Sequence, residues 1–197
     1  MRFRGRADRE RFVAAHVCWR AILSSYLQTP PEQIEFGYGA FGKPHLTRPS
    51  SSVQFSGSHS GDIGGIAVAH DAAVGLDLEC RDRTVTDVLS LAEVCFSDDE
   101  RAELAAHPDR EHLPLFLRGW TQKESVAKAL GEGLQAALQR IPISLQAGEP
   151  FVSLPGWQVI PLSPGPRAIA SLCVPADRHW RLVERWWPSQ GRQSQTP

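Results

Sequence analysis

No apolar stretch in these 197 residues runs far without a Gly, Asp or Arg, so no bilayer span is expected. The opening Met1-Arg2-Phe3-Arg4-Gly5-Arg6 lacks the apolar segment of a secretory signal, and a cytoplasmic protein is expected. Four cysteines, Cys18, Cys80, Cys95 and Cys173, lie scattered, with no C-x-x-C pair and no histidine at zinc-ligand spacing. That excludes a disulfide framework and argues against a structural zinc site, leaving reduced, mostly buried thiols. Charge of either sign is not in excess: the formal net charge is −1, which gives wholesale nucleic-acid binding no electrostatic footing. Lysine is the scarcest charge carrier. Of 21 basic residues only three are lysine, Lys43, Lys123 and Lys128. Lysine is a compact point charge able to give up a proton, so each survivor in an arginine-dominated chain invites a reason.

What is present suffices for a folded domain or two small halves. With 42% hydrophobic residues, a chain of this length buries roughly 70% of its unfolded surface, which rules out disorder. Helical spacing of Phe12, Val13, Val17, Trp19, Ile22, Leu23 and Leu27 predicts a helix over Asp8–Leu27, stopped by Thr29-Pro30-Pro31. Strands are expected at Gln33–Tyr38, at Val53–Ser56 and at Ile63–His70, with Asp71-Ala72-Ala73 as a hairpin turn into Val74–Glu79. Residues 39–45 and 47–52 read as loops. Helices follow over Val85–Val94, over Asp98–Ala106 with Ser97 as N-cap, and over Leu113–Leu130, closed by Gly131-Glu132-Gly133. Strands Ile141–Leu145, Trp157–Leu162 and Ala168–Val174 complete the pattern, and Gly191–Pro197 reads as a disordered end. A helix followed by strands occurs twice in outline, which points to two similar halves.

Three clusters carry candidate chemistry. On the strand Val74-Gly75-Leu76-Asp77-Leu78-Glu79, alternation puts Asp77 and Glu79 on one face. Adjacent carboxylates suit a hard divalent cation; a solvated polar strand face is the other reading. In Trp120-Thr121-Gln122-Lys123-Glu124-Ser125-Val126-Ala127-Lys128, Glu124 and Lys128 lie four apart on one helix face. They make either an ordinary helix-face ion pair or a carboxylate on a metal with an ammonium beside the same phosphate. Ser56-Gly57-Ser58-His59-Ser60-Gly61 is either an anion pocket of hydroxyl, imidazole and backbone N–H donors or a plain polar turn.

In chain order, Gly42-Lys43-Pro44, Phe55-Ser56-Gly57-Ser58-His59-Ser60, Gly75-Leu76-Asp77-Leu78-Glu79, Phe96-Ser97-Asp98-Asp99-Glu100 and the block from Trp120 to Leu134 resemble a 4′-phosphopantetheinyl transferase of the surfactin (Sfp) type. All three lysines fall inside these motifs. The resemblance implies an α+β fold, a pseudo-dimer of two similar halves with coenzyme A in the cleft between them. Residues 1–74 would form the half facing the CoA 3′-phosphate and adenine, 75–175 the half facing Mg²⁺ and pyrophosphate, and 176–197 a C-terminal tail.

The same resemblance implies roles. Asp77, Glu79 and Glu124 would hold Mg²⁺, with Mn²⁺ as a substitute; Glu124 would help take the proton from the accepting serine; and Lys128 would bind the pyrophosphate. Arg11, Lys43, Ser58 and His59 would bind the 3′-phosphate, while Glu100 matches an acidic position at the edge of the active site. The reaction implied is transfer of phosphopantetheine from coenzyme A to a serine of an apo acyl- or peptidyl-carrier protein, by a monomer that binds neither nucleic acid nor membrane. Two departures accompany it. Ser56 stands where an Asn is common, and the stretch that such proteins carry ahead of the first helix is missing. The N-terminal half is therefore expected to be shortened, with the Arg2-Arg4-Arg6-Arg9 cluster as either a substitute for the missing basic residues or a solvated tail. A non-catalytic CoA- or carrier-binding relative is the runner-up reading, and a metal-dependent phosphohydrolase a distant third.

Overall fold

The computed structural model describes residues 5–133, 138, 140–146 and 151–187. Arg2, Arg4, Leu134 and the expected tail end Gly191–Pro197 lie outside them. The order is helix α1 (Arg6–Leu27), hairpin β1 (Glu35–Tyr38) and β2 (Pro44–Arg48), hairpin β3 (Val53–Ser60) and β4 (Ile63–His70), then β5 (Gly75–Cys80). Helices α2 (Val88–Cys95), α3 (Asp98–Ala105) and α4 (Asp109–Leu130) follow, and then β6 (Phe151–Leu154), β7 (Trp157–Leu162) and β8 (Ala168–Pro175). The class is α+β, as expected. Two 22-residue helices lie over antiparallel strands: α1 over β3 and β4, α4 over the sheet ordered β5-β8-β7-β6.

Apolar faces explain the packing. Leu23 of α1 meets Ile34, Val53 and Phe55, while Val126 and Ala129 of α4 meet Val159 and Cys173 of the larger sheet. Phe96, Leu104, Phe116 and Leu117 close a third core among α2, α3 and α4. Glycine 75 sets how close α4 comes to β5. A Cβ there would run into the backbone carbonyl of Ser125 and the backbone nitrogen of Ala129, so strand and helix main chains are in direct contact.

The boundaries move for identifiable reasons. Asp87 accepts the Ser90 N–H and starts α2 three residues later than the apolar spacing suggests. Helix α4 begins at Asp109, ahead of the expected Leu113, with Asp109 and Glu111 in its first turn and Pro114 carried inside. Strand β3 does not stop at Ser56. It pairs with β4 as far as Ser60–Ile63, around a Gly61-Asp62 turn, so the expected polar loop is mostly strand.

Two larger differences share one cause, side chains standing in for main-chain partners. The 71–73 turn is not a hairpin, for β5 bonds by main chain to β8 and turns its other edge to β3. There Ser56, Ser58 and Ser60 accept the backbone N–H groups of Leu76, Leu78 and Cys80 at 3.0, 3.2 and 3.1 Å. The constant offset means the two strands run parallel, joined by a ladder of hydroxyls. Residues 141–145 are no strand either. Their main-chain groups are taken by side chains: Lys123 on the Ile141 carbonyl, Glu100 on the Ile143 N–H, and Gln122 on both groups of Ser144. Strands β2 and β6 lie where none was expected.

Candidate active site

A cleft of about 880 Å³ opens between the two long helices. Phe12, His16 and Trp19 of α1 form one wall; Glu124, Ala127 and Lys128 of α4 form the other, with Tyr38, Phe41 and Lys43 of the first hairpin at one end and Ser56 and Gly57 of β3 in the floor. Gly57 is required because the Trp19 ring lies where a side chain would stand. The aromatic wall was not anticipated as functional. Its signal was present in the i, i+4, i+7 spacing of Phe12, His16 and Trp19, but that spacing also describes a core-facing stripe.

The three chemistry-bearing segments converge here. Asp77 is only 4% exposed, which removes the solvated-face alternative for its strand. Its Oδ1 receives the Lys128 ammonium at 2.6 Å and the Ser58 hydroxyl at 2.9 Å. Its Oδ2 is buried with no hydrogen-bond partner among the described residues. Lys128 also donates to Ser58 Oγ at 3.3 Å and lies 3.9 Å from Glu124 Oε2. Burial, reinforced by the nearby Asp77 charge, pushes the Glu124 carboxyl up to about 7 despite Lys128. Burial also moves Asp77 upward, against the pull of Lys128 and Ser58. A carboxylate poised near neutrality in a cleft can accept and release a proton at physiological pH.

The other expected site residues divide. Glu79 accepts the Ser60 hydroxyl at 2.6 Å and pairs with Arg83 at 3.0 Å. Lys43 lines the cleft and donates to the carbonyls of Val74 and Ala129, and burial moves its pKa down. Arg11 pairs with Asp62 at 3.1 Å, and His59 is exposed on β3; neither belongs to the cleft lining. Glu100 is not brought to the cleft. It closes a capping box with Ser97 and meets Lys123 at 2.9 Å, inside the core.

Whether these residues fit a divalent cation turns on the donor set. Among the described residues no group of three His, Cys, Asp or Glu is gathered for a metal. An all-protein cage is not what Mg²⁺ needs, however, since it takes one or two carboxylates and completes its shell with waters and substrate phosphate oxygens. The unpartnered Asp77 Oδ2 beside Glu124 provides such a donor pair.

Residues 73–186, from just before β5 to beyond β8, match the 4′-phosphopantetheinyl transferase superfamily. The chain belongs to this superfamily. It is 36% identical over 170 residues to the 4′-phosphopantetheinyl transferase HetI of Nostoc sp., across 84% of this chain and 71% of that protein. Against the 4′-phosphopantetheinyl transferase psf-1 of Bacillus pumilus it is 34% identical over 156 residues, 78% of this chain and 64% of the relative. Against the 4′-phosphopantetheinyl transferase AcpT of Escherichia coli it is 40% identical over 124 residues, 62% of this chain and 58% of the relative. The chain thus spans between 58% and 71% of the length of these three. The transferase class and the α+β class expected from sequence both stand. Among the described residues no helix is long and apolar enough to cross a membrane.

Proposed function

We propose that this chain transfers the 4′-phosphopantetheinyl arm of coenzyme A to a serine hydroxyl of an apo acyl- or peptidyl-carrier protein, in the manner of the Sfp type. The serine O–P bond forms, the pyrophosphate P–O bond breaks, and 3′,5′-ADP leaves with the bridging oxygen. The observation that carries this reading is the buried Asp77, unpartnered on one oxygen and paired on the other with Lys128, which together with Glu124 lines the cleft between the two long helices.

Glu124, in the cleft lining beside Lys128, takes the proton of the attacking hydroxyl. The Lys128 ammonium faces the leaving phosphate and compensates the charge that grows there. Asp77, Glu124 and Glu79 would hold Mg²⁺ or Mn²⁺, which would supply charge neutralisation on the pyrophosphate. Lys43, Arg11 and His59 serve the 3′-phosphate. In this proposal residues 1–74 form the nucleotide side and 75–175 the pyrophosphate side of a cytoplasmic monomer.

The test is incubation with coenzyme A, Mg²⁺ and a panel of apo-carriers, followed by weighing the carriers. One phosphopantetheine per carrier is expected, abolished by EDTA. CoA binding without mass gain on any carrier would favour the non-catalytic alternative.

A further inference from the structure

A serine hydroxyl has one proton to donate and two lone pairs to offer. At Ser58 all three are engaged: it donates to Asp77 Oδ1 at 2.9 Å, and accepts the Leu78 N–H at 3.2 Å and the Lys128 ammonium at 3.3 Å. Ser60 repeats the arrangement two residues on. It donates to Glu79 Oε2 at 2.6 Å and accepts the Cys80 N–H at 3.1 Å. Each serine thus grips β5 twice, by the carboxylate of one residue and the backbone N–H of the next.

A side chain that holds a phosphate must present a free donor. Ser58 has none left, is buried, and stands against a carboxylate that repels anions. Resting on the transferase reading above, we propose that Ser58 and Ser60 are positioning residues. They clamp the carboxylates of Asp77 and Glu79 in register along β5, and Ser58 takes no part in holding the 3′-phosphate. The clamp has a chemical consequence at Asp77. With Ser58 and Lys128 both on Oδ1, the carboxylate cannot turn, and Oδ2 is held free for a cation. Ser56, whose neighbour on β5 is Gly75, accepts the Leu76 N–H and has no carboxylate to orient.

The proposal separates cleanly from phosphate binding. Full-length Ser58→Ala, Ser60→Ala and Ser60→Thr are compared with the unaltered chain on coenzyme A and 3′-dephospho-CoA, and titrated with Mn²⁺ alone, read by electron paramagnetic resonance. Ser58→Ala is expected to lower kcat by about tenfold or more and to weaken Mn²⁺ binding, the scale of a lost hydrogen bond to a charged group. Its KM for coenzyme A, and the preference over 3′-dephospho-CoA, should stay within about twofold. Ser60→Ala should move the same readouts less, and Ser60→Thr, which keeps the hydroxyl, should restore them. A raised KM with collapse of the preference, at unchanged kcat and Mn²⁺ affinity, overturns the proposal. Should Ser58→Ala fail to fold by circular dichroism, the Ser60 pair decides, and full Mn²⁺ affinity in Ser60→Ala overturns the clamp. Absence of transfer by the unaltered chain defeats the proposed function alone; the Mn²⁺ titrations still decide the clamp.

Discussion

Two lysines five residues apart on α4 sit in opposite circumstances. Lys123 is 0% exposed, and its three protons go to Glu100 and to the carbonyls of Leu138 and Ile141. Glu100 is equally occupied, by Lys123, the Ile143 N–H and the Ser97 N–H. Lys128 has a side chain 28% exposed, faces a cleft, and shares one oxygen of Asp77 with Ser58 while the other oxygen has no partner. The first network is closed and the second open. A closed buried network fixes structure, here pinning the 141–145 segment to α4; an open one holds a charge imbalance that a ligand can resolve.

The contrast breaks hardest on the closed side. Lys123→Ala leaves Glu100 buried without its counter-charge and should destabilise the fold by about 3–5 kcal/mol. Thermal melting and urea titration check it. A shift no larger than that of a surface substitution would mean that the pair is not structural.

The open side should behave in reverse. Asp77→Asn and Glu124→Gln should each lower kcat by on the order of a hundredfold, the scale of losing electrostatic stabilisation in a transition state. Their melting temperatures should hold or rise, because each removes a charge that burial disfavours. Steady-state kinetics beside calorimetry tests the pair of outcomes. Near-native turnover at saturating Mg²⁺ in either variant would place the catalytic carboxylates elsewhere.

Lys128→Arg sharpens the comparison further. The chain uses arginine nearly everywhere, yet guanidinium is broad and does not give up a proton. We expect kcat to stay about tenfold or more below the unaltered chain, with melting little changed. Full turnover by Lys128→Arg would reduce Lys128 to a helix-face charge.

The two networks were unequally visible in the amino-acid sequence. The four-residue spacing of Glu124 and Lys128 dictates one helix face, and the alternation around Asp77 dictates one strand face, so the open site was readable from local periodicity. Glu100 and Lys123 lie 23 residues apart on different helices, and no local pattern shows that they meet. The serine ladder was half visible. Ser56, Ser58 and Ser60 alternate as strand residues do, but small hydroxyls with a glycine also spell a turn, and only the β5 edge decides between them. Segment 141–145 has strand-like letters and no strand neighbour, because α4 side chains reach its backbone first.

The subtlest consequence of the open network is a proton. With its pKa pushed up to about 7, Glu124 in the metal-free protein is mostly protonated at pH 6 and mostly ionised at pH 8. A cation taking that carboxylate must displace the proton, so binding tightens as pH rises. One such group implies about a tenfold gain in Mg²⁺ affinity between pH 6 and 8. The folded protein also holds this proton where an unfolded chain does not. Glu124 therefore stabilises the metal-free fold fully below about pH 4.5, and that contribution is lost as pH rises toward 7. Calorimetric titration of Mg²⁺ in buffers of different ionisation enthalpy should show proton release at pH 6.5, shrinking toward zero at pH 8.5. Glu124→Gln should remove most of that release. A pH-independent Mg²⁺ affinity with no proton released would show that Glu124 is already ionised, and that the charge imbalance around Lys128 is resolved within the protein itself.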